Sequence, residues 1–289
     1  AREHLLNAAS LHTSAYASDR RPQGNAERPI FLVGHQPELF HPGVWLKNFV
    51  LDQLARQHGA TAVHVLIDND IARTSIEVPV GSVERPSRAT IDLDVTGEKV
   101  PWEERRLRDA HDFLAAGDEI VKALEPFVEN PIVGELWANC GVESDLQGRL
   151  FGNVLAHMRH QLEQTWGLNT IEAPLSQICD SDSFRWFFMT LISQLPALHA
   201  SYNGALAEYR KVHRLRSPSQ PMPDLKRFGS RYEAPFWAWT SEHAQRHPLF
   251  VTQDAGGWVL DAEGVGEIQL AGSVKDFSEA IDTLARLEK

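Results

Sequence analysis

The chain has 289 residues, 43% hydrophobic, 23% charged and 9% aromatic, a balance that excludes disordered, collagenous and membrane-embedded classes as the main description. Its 28 Lys and Arg stand against 39 Asp and Glu, a formal net charge of -11, so the overall field repels nucleic acid and anionic lipid. Cys140 and Cys179 are too far apart in sequence, and in no C-x-x-C pair, to make a disulfide framework or a thiolate zinc site; both read as small buried hydrophobes, and a reducing cytoplasm is the expected compartment.

Residues 2 to 17 carry a weak helical pattern, and the polar stretch 19–25 reads as a linker onto the main fold. Ile30-Phe31-Leu32-Val33 is an unbroken apolar run ending in Gly34, as in a strand covered on both faces. Leu46, Phe49, Val50 and Leu54 repeat at helical spacing up to the terminator Gly59, and the run 62–67 is a second buried strand. Strand, loop, helix and strand in this order predict a βαβ unit of a doubly wound sheet with a right-handed crossover. The pieces 74–78 and 90–95 predict a hairpin-like excursion.

Further along, Leu107, Ala110, Phe113, Leu114, Val121 and Leu124 mark a helix ended by Pro126, and Phe151, Val154, Leu155, Met158 and Leu162 mark another. Residues 170–173 read as a return to the sheet. Phe184, Phe187, Phe188, Leu191, Ile192 and Leu195 give the strongest helical stripe, 217–223 a Pro-rich loop, and 249–252 with 258–260 an antiparallel hairpin. A strand at 267–270 precedes a last helix with Ser273 as N-cap. The predicted fold is α/β: a Rossmann-like, doubly wound, mostly parallel sheet with inserted helical and small antiparallel elements. It divides into an N-terminal helix and linker (1–28) and one domain (29–289) with insertions at about 71–166 and 200–262. The end at Arg286-Leu287-Glu288-Lys289, inside a helical pattern without a C-cap glycine, predicts a chain that continues.

The segment from Gly34 to Asn48 is the most informative. It follows the carboxyl end of the first strand and enters the next helix, where open α/β sheets bind ligands and where free N–H groups attract anions. His35, His41 and Lys47 are the candidate catalytic groups, with Asp68, at the end of the second strand, as a general base or as a ligand for a hard cation. Gly34, Gln36, Gly43, Asn48 and Asp70 are candidate ligand-binding positions. Each has a plainer structural alternative: a turn glycine, a backbone-bonded imidazole, a solvated lysine, an Asx turn.

His41-Pro42-Gly43 resembles the H-x-G-H signature of the nucleotidylyltransferase and class I aminoacyl-tRNA synthetase superfamily, with Val44 in place of the last His. The longer pattern of Gly34-His35-Gln36, Leu39-Phe40, Gly43 and Lys47 resembles the bacillithiol-synthesis cysteine-adding enzyme family, BshC. His35-Gln36-Pro37 also resembles the opening of the WbqC-like proteins of glycan loci. The likeness covers residues 30 to 70, and it implies a Rossmann-like core with inserted helical pieces and ligase-like chemistry.

Between Arg210 and Arg231 lie seven basic residues and the single acid Asp224, and Arg210 with Arg214, read as one helical turn apart, are candidates to grip one anion; cations complementing a helix C-terminus are the alternative. Trp237 and Trp239, two apart, are expected on one strand face. No G-x-S-x-G elbow, P-loop or G-x-G-x-x-G fingerprint is present. The reading is an enzyme of ligase or group-transfer type acting on a nucleotide-like or phosphorylated small molecule, with ATP or another nucleotide and magnesium as the candidate cofactor. Neither nucleic acid nor a membrane is expected as a partner. A non-catalytic binding or scaffolding protein on the same fold is the alternative. Metal dependence and oligomeric state are not legible.

Overall fold

The weak helical pattern at the start forms α1 (Arg2–Ser14), and the first apolar run forms β1 (Ile30–His35). Helix α2 (Pro42–His58) starts on His41, whose ring Nδ1 accepts the Gly43 amide, has Pro42 in its first turn, and stops at Gly59 in the left-handed conformation, the usual pairing of an N-terminal Pro with a C-terminal Gly. The chain returns as β2 (Thr61–Leu66), parallel to β1 with Val33 opposite His64. This is the predicted strand, helix and strand in the predicted order. The structure, a computed structural model, describes residues 1–16, 24–97, 99–240, 242 and 244–287. Most of the linker expected over 19–25 lies outside them.

An antiparallel pair, β3 (Ser75–Gly81) and β4 (Pro86–Asp92), matches the expected hairpin. It is followed by α3 (Ala110–Leu124), capped by Asp109 through the Asp112 amide at 2.9 Å, by the short α4 (Val133–Ala138) and α5 (Glu143–Leu146), and by α6 (Phe151–Thr165). Leu107, expected inside the helix, lies before it but is buried in the core that the hairpin shares with these helices. That core is built on aromatic contacts: Trp102 and Phe113 each pack on Phe151, with ring centroids 5.6 and 5.8 Å away. The return strand, β5 (Ile171–Pro174), pairs with β2 in parallel and places Glu172 directly opposite His64.

The main sheet therefore has three strands, in the order β1-β2-β5. Its two edges differ. At β5, α1 closes the edge: Thr13 Oγ1 accepts the Glu172 amide at 2.8 Å, satisfying an edge donor that would otherwise be open to pairing. Beyond β1 no further strand lies among the described residues, and Leu46, Val50 and Leu54 of α2 are exposed beside it, lining an apolar groove of about 600 Å3 with Leu32.

The chain divides into two units, 1–178 and 179–289, where the sequence pattern had suggested one domain from residue 29. The boundary falls at the last residue of the five-residue helix α7 (Leu175–Cys179), and α8 (Asp182–Ser193) follows on a Ser181 cap. Then come α9 (Leu195–Val212), β6 (Arg227–Phe228), β7 (Arg231–Ala238), β8 (His247–Asp254), β9 (Gly257–Ala262), β10 (Gly266–Ala271) and α10 (Ser278–Arg286). The five strands make an antiparallel sheet in the order β10-β9-β8-β7-β6, and Met189 and Ile192 of α8 pack with Trp258, Leu260 and Leu270. The expected 249–252/258–260 hairpin is β8-β9.

Three expectations are corrected here. Ser273 does not cap α10: the helix starts five residues later, on Phe277 and without a side-chain cap, while Ser273 is bridged to Asp276 through the backbone and Asp276 accepts the Ser278 amide at 3.0 Å. Strand β7 stops at Ala238, so Trp239 does not share a strand face with Trp237. Cys140 is buried as expected, whereas Cys179 is only half-buried. Among the described residues no helix is long and apolar enough to cross a membrane.

Candidate functional site

The carboxyl ends of β1 and β2 are joined by a side-chain bond: Gln36 Nε2 donates to Asp70 Oδ2 at 2.9 Å. Asp70 also accepts the Ile71 amide at 2.8 Å, and so holds the turn after β2. Asp68, buried, reaches toward the third strand instead and accepts both the amide and the hydroxyl of Ser176, at 2.9 and 2.6 Å. Residues 36, 68, 70 and 176 thus tie together the rim of the parallel sheet, the place where such sheets offer a crevice. His35 is half-buried at this rim, its Nδ1 3.2 Å from the Gln36 carbonyl.

The remaining candidates do not gather there. His41 is exposed and spends its Nδ1 on the Gly43 amide at 3.1 Å. The Val44 and Trp45 amides both go to the His41 carbonyl, and Pro42 has no N–H, so the start of α2 offers no free donors to an anion. Gly43 has a defined reason for being glycine, since a Cβ would lie 3.3 Å from the His41 ring it must admit. Gly34 is similarly tight, 3.3 Å from Ile67 Cδ1 and the Val65 carbonyl. Lys47 turns to the other side and donates to the Gly34 carbonyl at 3.2 Å. In a parallel pair alternate residues point outward, and since the Pro29 and His35 carbonyls face β2, that of Gly34 lies on the open edge. Lys47 therefore covers the open edge of β1 in this structure.

Arg210 and Arg214 belong to the second unit. Arg210 holds the 217–224 loop, donating to the Gln220 and Pro218 carbonyls at 2.9 and 2.8 Å and to Asp224 at 2.7 Å. Arg214 lies past the end of α9 with φ +52°, so the one-turn spacing expected for a shared anion is absent.

Asn48 leads to a group of residues that sequence patterns did not single out. It is buried and donates to Glu163 Oε1 at 2.7 Å, and Trp45 Nε1 donates to the same oxygen at 2.6 Å. Around it, the interior of the first unit holds Arg159, His160 and Glu163 of α6, His64 of β2 and Glu172 of β5, all at most 4% exposed. Arg159 pairs with Glu172 and lies with its Nε 3.4 Å from Glu163 Oε1. His64 Nδ1 donates to Glu172 Oε1 at 2.9 Å, and Tyr16, reaching round from the end of α1, donates to Glu172 Oε2 at 2.5 Å. Phe40 covers the cluster from the rim loop, with the Arg159 guanidinium 4.6 Å above its ring and His35 against its edge.

The electrostatics follow from burial. Burial opposes ionising Glu172, but the Arg159 guanidinium and then His64 outweigh it and hold the carboxyl well below the usual carboxylate range. Burial pushes the His64 imidazole down, against the pull of Glu172. The Tyr16 phenol is pushed well up, by burial first and by Glu172 next. The signal in the sequence was an ionisable residue inside each of two largely apolar strands, His64 and Glu172, which is costly unless a partner is supplied.

No protein-family model, curated protein or solved structure matches the chain. Fold and site together define a mixed α/β protein with a polar sheet rim above a buried ionic cluster.

Proposed function

We propose that the chain is a small-molecule enzyme of ligase or group-transfer type on a Rossmann-like core, with its ligand at the carboxyl rim of the parallel sheet. The observation that carries this reading is the Gln36–Asp70 bond at 2.9 Å, which places polar groups of two strand ends at one rim beside the half-buried His35. The start of α2 has no donors to spare for a bare anion, and the rim carries Asp68, Asp70 and Glu38. Both favour a nucleotide-like or phosphorylated ligand presented as its magnesium complex, whose cation faces the carboxylates. His35 is then the group best placed to exchange a proton with the ligand.

The test is a thermal-shift comparison of ATP, other nucleotides and sugar phosphates, with and without magnesium, on the parent and on Asp70→Asn and His35→Ala. Magnesium-dependent stabilisation by one ligand class, lost in Asp70→Asn, is the expected result. Equal melting temperatures with every ligand overturn the proposal.

A second reading, binding without catalysis, is favoured by a specific observation: His41, Lys47 and Asp68 are engaged with three different partners in three directions. Ligand binding without consumption of the nucleotide, followed by phosphate release, selects it.

A further inference from the structure

The buried cluster contains more ligand atoms than its own partners use. The Oε1 atoms of both carboxylates are taken: Glu163 Oε1 by Trp45 and Asn48, and Glu172 Oε1 by His64 and Arg159. Glu163 Oε2 and His160 Nδ1, on side chains 1% exposed, have no hydrogen-bond partner. His160 Nδ1 lies 3.8 Å from Glu172 Oε2, beyond hydrogen-bond length. Such orphaned atoms in an interior are costly, and one occupant able to accept several lone pairs would satisfy them together.

We propose that His160, Glu163 and Glu172 hold a divalent metal ion of the first transition row, zinc foremost. Each supplies one ligand atom, and the three atoms lie within 4.8 Å of one another, a spacing that small side-chain shifts close to the separations of ligands bonded at about 2.0–2.2 Å. His160 and Glu163 are three apart on α6 and therefore share a helix face, and Glu172 comes to them from β5. One imidazole nitrogen and two carboxylate oxygens form a mixed donor set that suits zinc, with manganese and ferrous iron as chemical relatives, and does not suit a purely oxygen-seeking ion.

The surroundings have the form that metal ligands need. The far nitrogen of His160 lies 3.1 Å from the Gln164 side-chain amide; with that amide turned so that its oxygen faces the ring, Nε2–H donates to it and Nδ1 is left with its lone pair for the ion. Glu163 is fixed through its other oxygen; Glu172 is fixed through Oε1, and its Oε2 accepts from Tyr16 at 2.5 Å and keeps a second lone pair for the ion, while Arg159 limits the net charge. A site this buried fills as the chain folds.

The experiment uses the full chain. Metal content is measured by mass spectrometry after purification; the protein is then unfolded with a chelator and refolded alone, with zinc, or with cobalt(II). A stoichiometric first-row metal is expected, together with a melting temperature several degrees lower in the stripped protein and restored by zinc. Cobalt is expected to give d–d absorption bands in the parent that are lost in His160→Gln. The proposal is overturned if metal is far below stoichiometric, refolding is indifferent to zinc and cobalt leaves no bands. The wild-type metal content and cobalt spectrum decide the matter even if His160→Gln fails to fold.

Discussion

His64 and Glu172 stand directly opposite one another on adjacent parallel strands and meet at 2.9 Å, both with no solvent exposure. A sheet interior tolerates this pair because α6 lays Arg159 across Glu172 and α1 brings Tyr16 to its second oxygen. Loss of the Glu172 charge leaves Arg159 buried with a weaker partner. Glu172→Gln is therefore expected to cost about 3–5 kcal/mol, read from the urea midpoint. A change below about 1 kcal/mol would show that Glu163 alone compensates the guanidinium.

Thr13 tests how the β5 edge is closed. Its hydroxyl is fully buried, accepts the Glu172 amide and lies 3.4 Å from the Glu172 carbonyl. Thr13→Val keeps the shape and removes the acceptor, so the expected loss is about 1–3 kcal/mol. Hydrogen exchange at the Glu172 amide should rise with it, and unchanged protection there would mean that α1 shields the strand without this bond.

Acid should weaken the first unit in a defined window. The His157 pKa is lowered from 6.5 to about 4, by burial first and the Arg149 charge next, and burial also lowers that of His12. Folded values below the unfolded value mean that the unfolded chain takes up protons first. The stabilising contribution is complete above about pH 6.5 and is lost as pH falls toward about 4, with a slope of at most ~1.4 kcal/mol per pH unit for each group, less for the partly solvated His157. Denaturation series across this window should show falling midpoints in parent protein, with a shallower fall in His157→Gln. Parallel curves for the two would remove His157 from the account.

Gly117, on α3, packs under Trp137: a Cβ would lie 2.2 Å from the indole Cδ1. The indole is itself fixed, its Nε1 donating to the Phe113 carbonyl at 2.9 Å. Gly117→Ala gains helix propensity but overfills the contact, and a net loss of about 1–3 kcal/mol is expected. A stabilised variant would show that Trp137 can swing clear.

Arg210 is expected to act on its loop and not on a ligand. Arg210→Ala removes the donors that hold Pro218, Gln220 and Asp224, so limited proteolysis should cut within 217–224 faster, while affinity for inorganic phosphate stays at the parent value. A drop in phosphate affinity without faster cleavage would restore the anion-binding role suggested by the charge pattern.

Local patterns in the sequence were sufficient for β1, α2, β2, the β3-β4 and β8-β9 hairpins and the stripe of α8. Each depends on neighbours within one element: apolar runs for strands, the 3.6-residue period for helices, Gly59 for a left-handed stop, although β1 is not covered on both faces as its run suggested, Leu32 being exposed. The rim was legible as a place, since it follows from strand order, and Gln36 and Asp70 do meet there. The roles of His41 and Lys47 were not, because an imidazole that caps its own helix and an ammonium that covers a strand edge have the same local sequence as a ligand-binding pair. The ionic cluster was decided by tertiary structure alone. His64 and Glu172 are 108 residues apart, and a buried charge is tolerable only with its partner present, so nothing within either strand could announce the other.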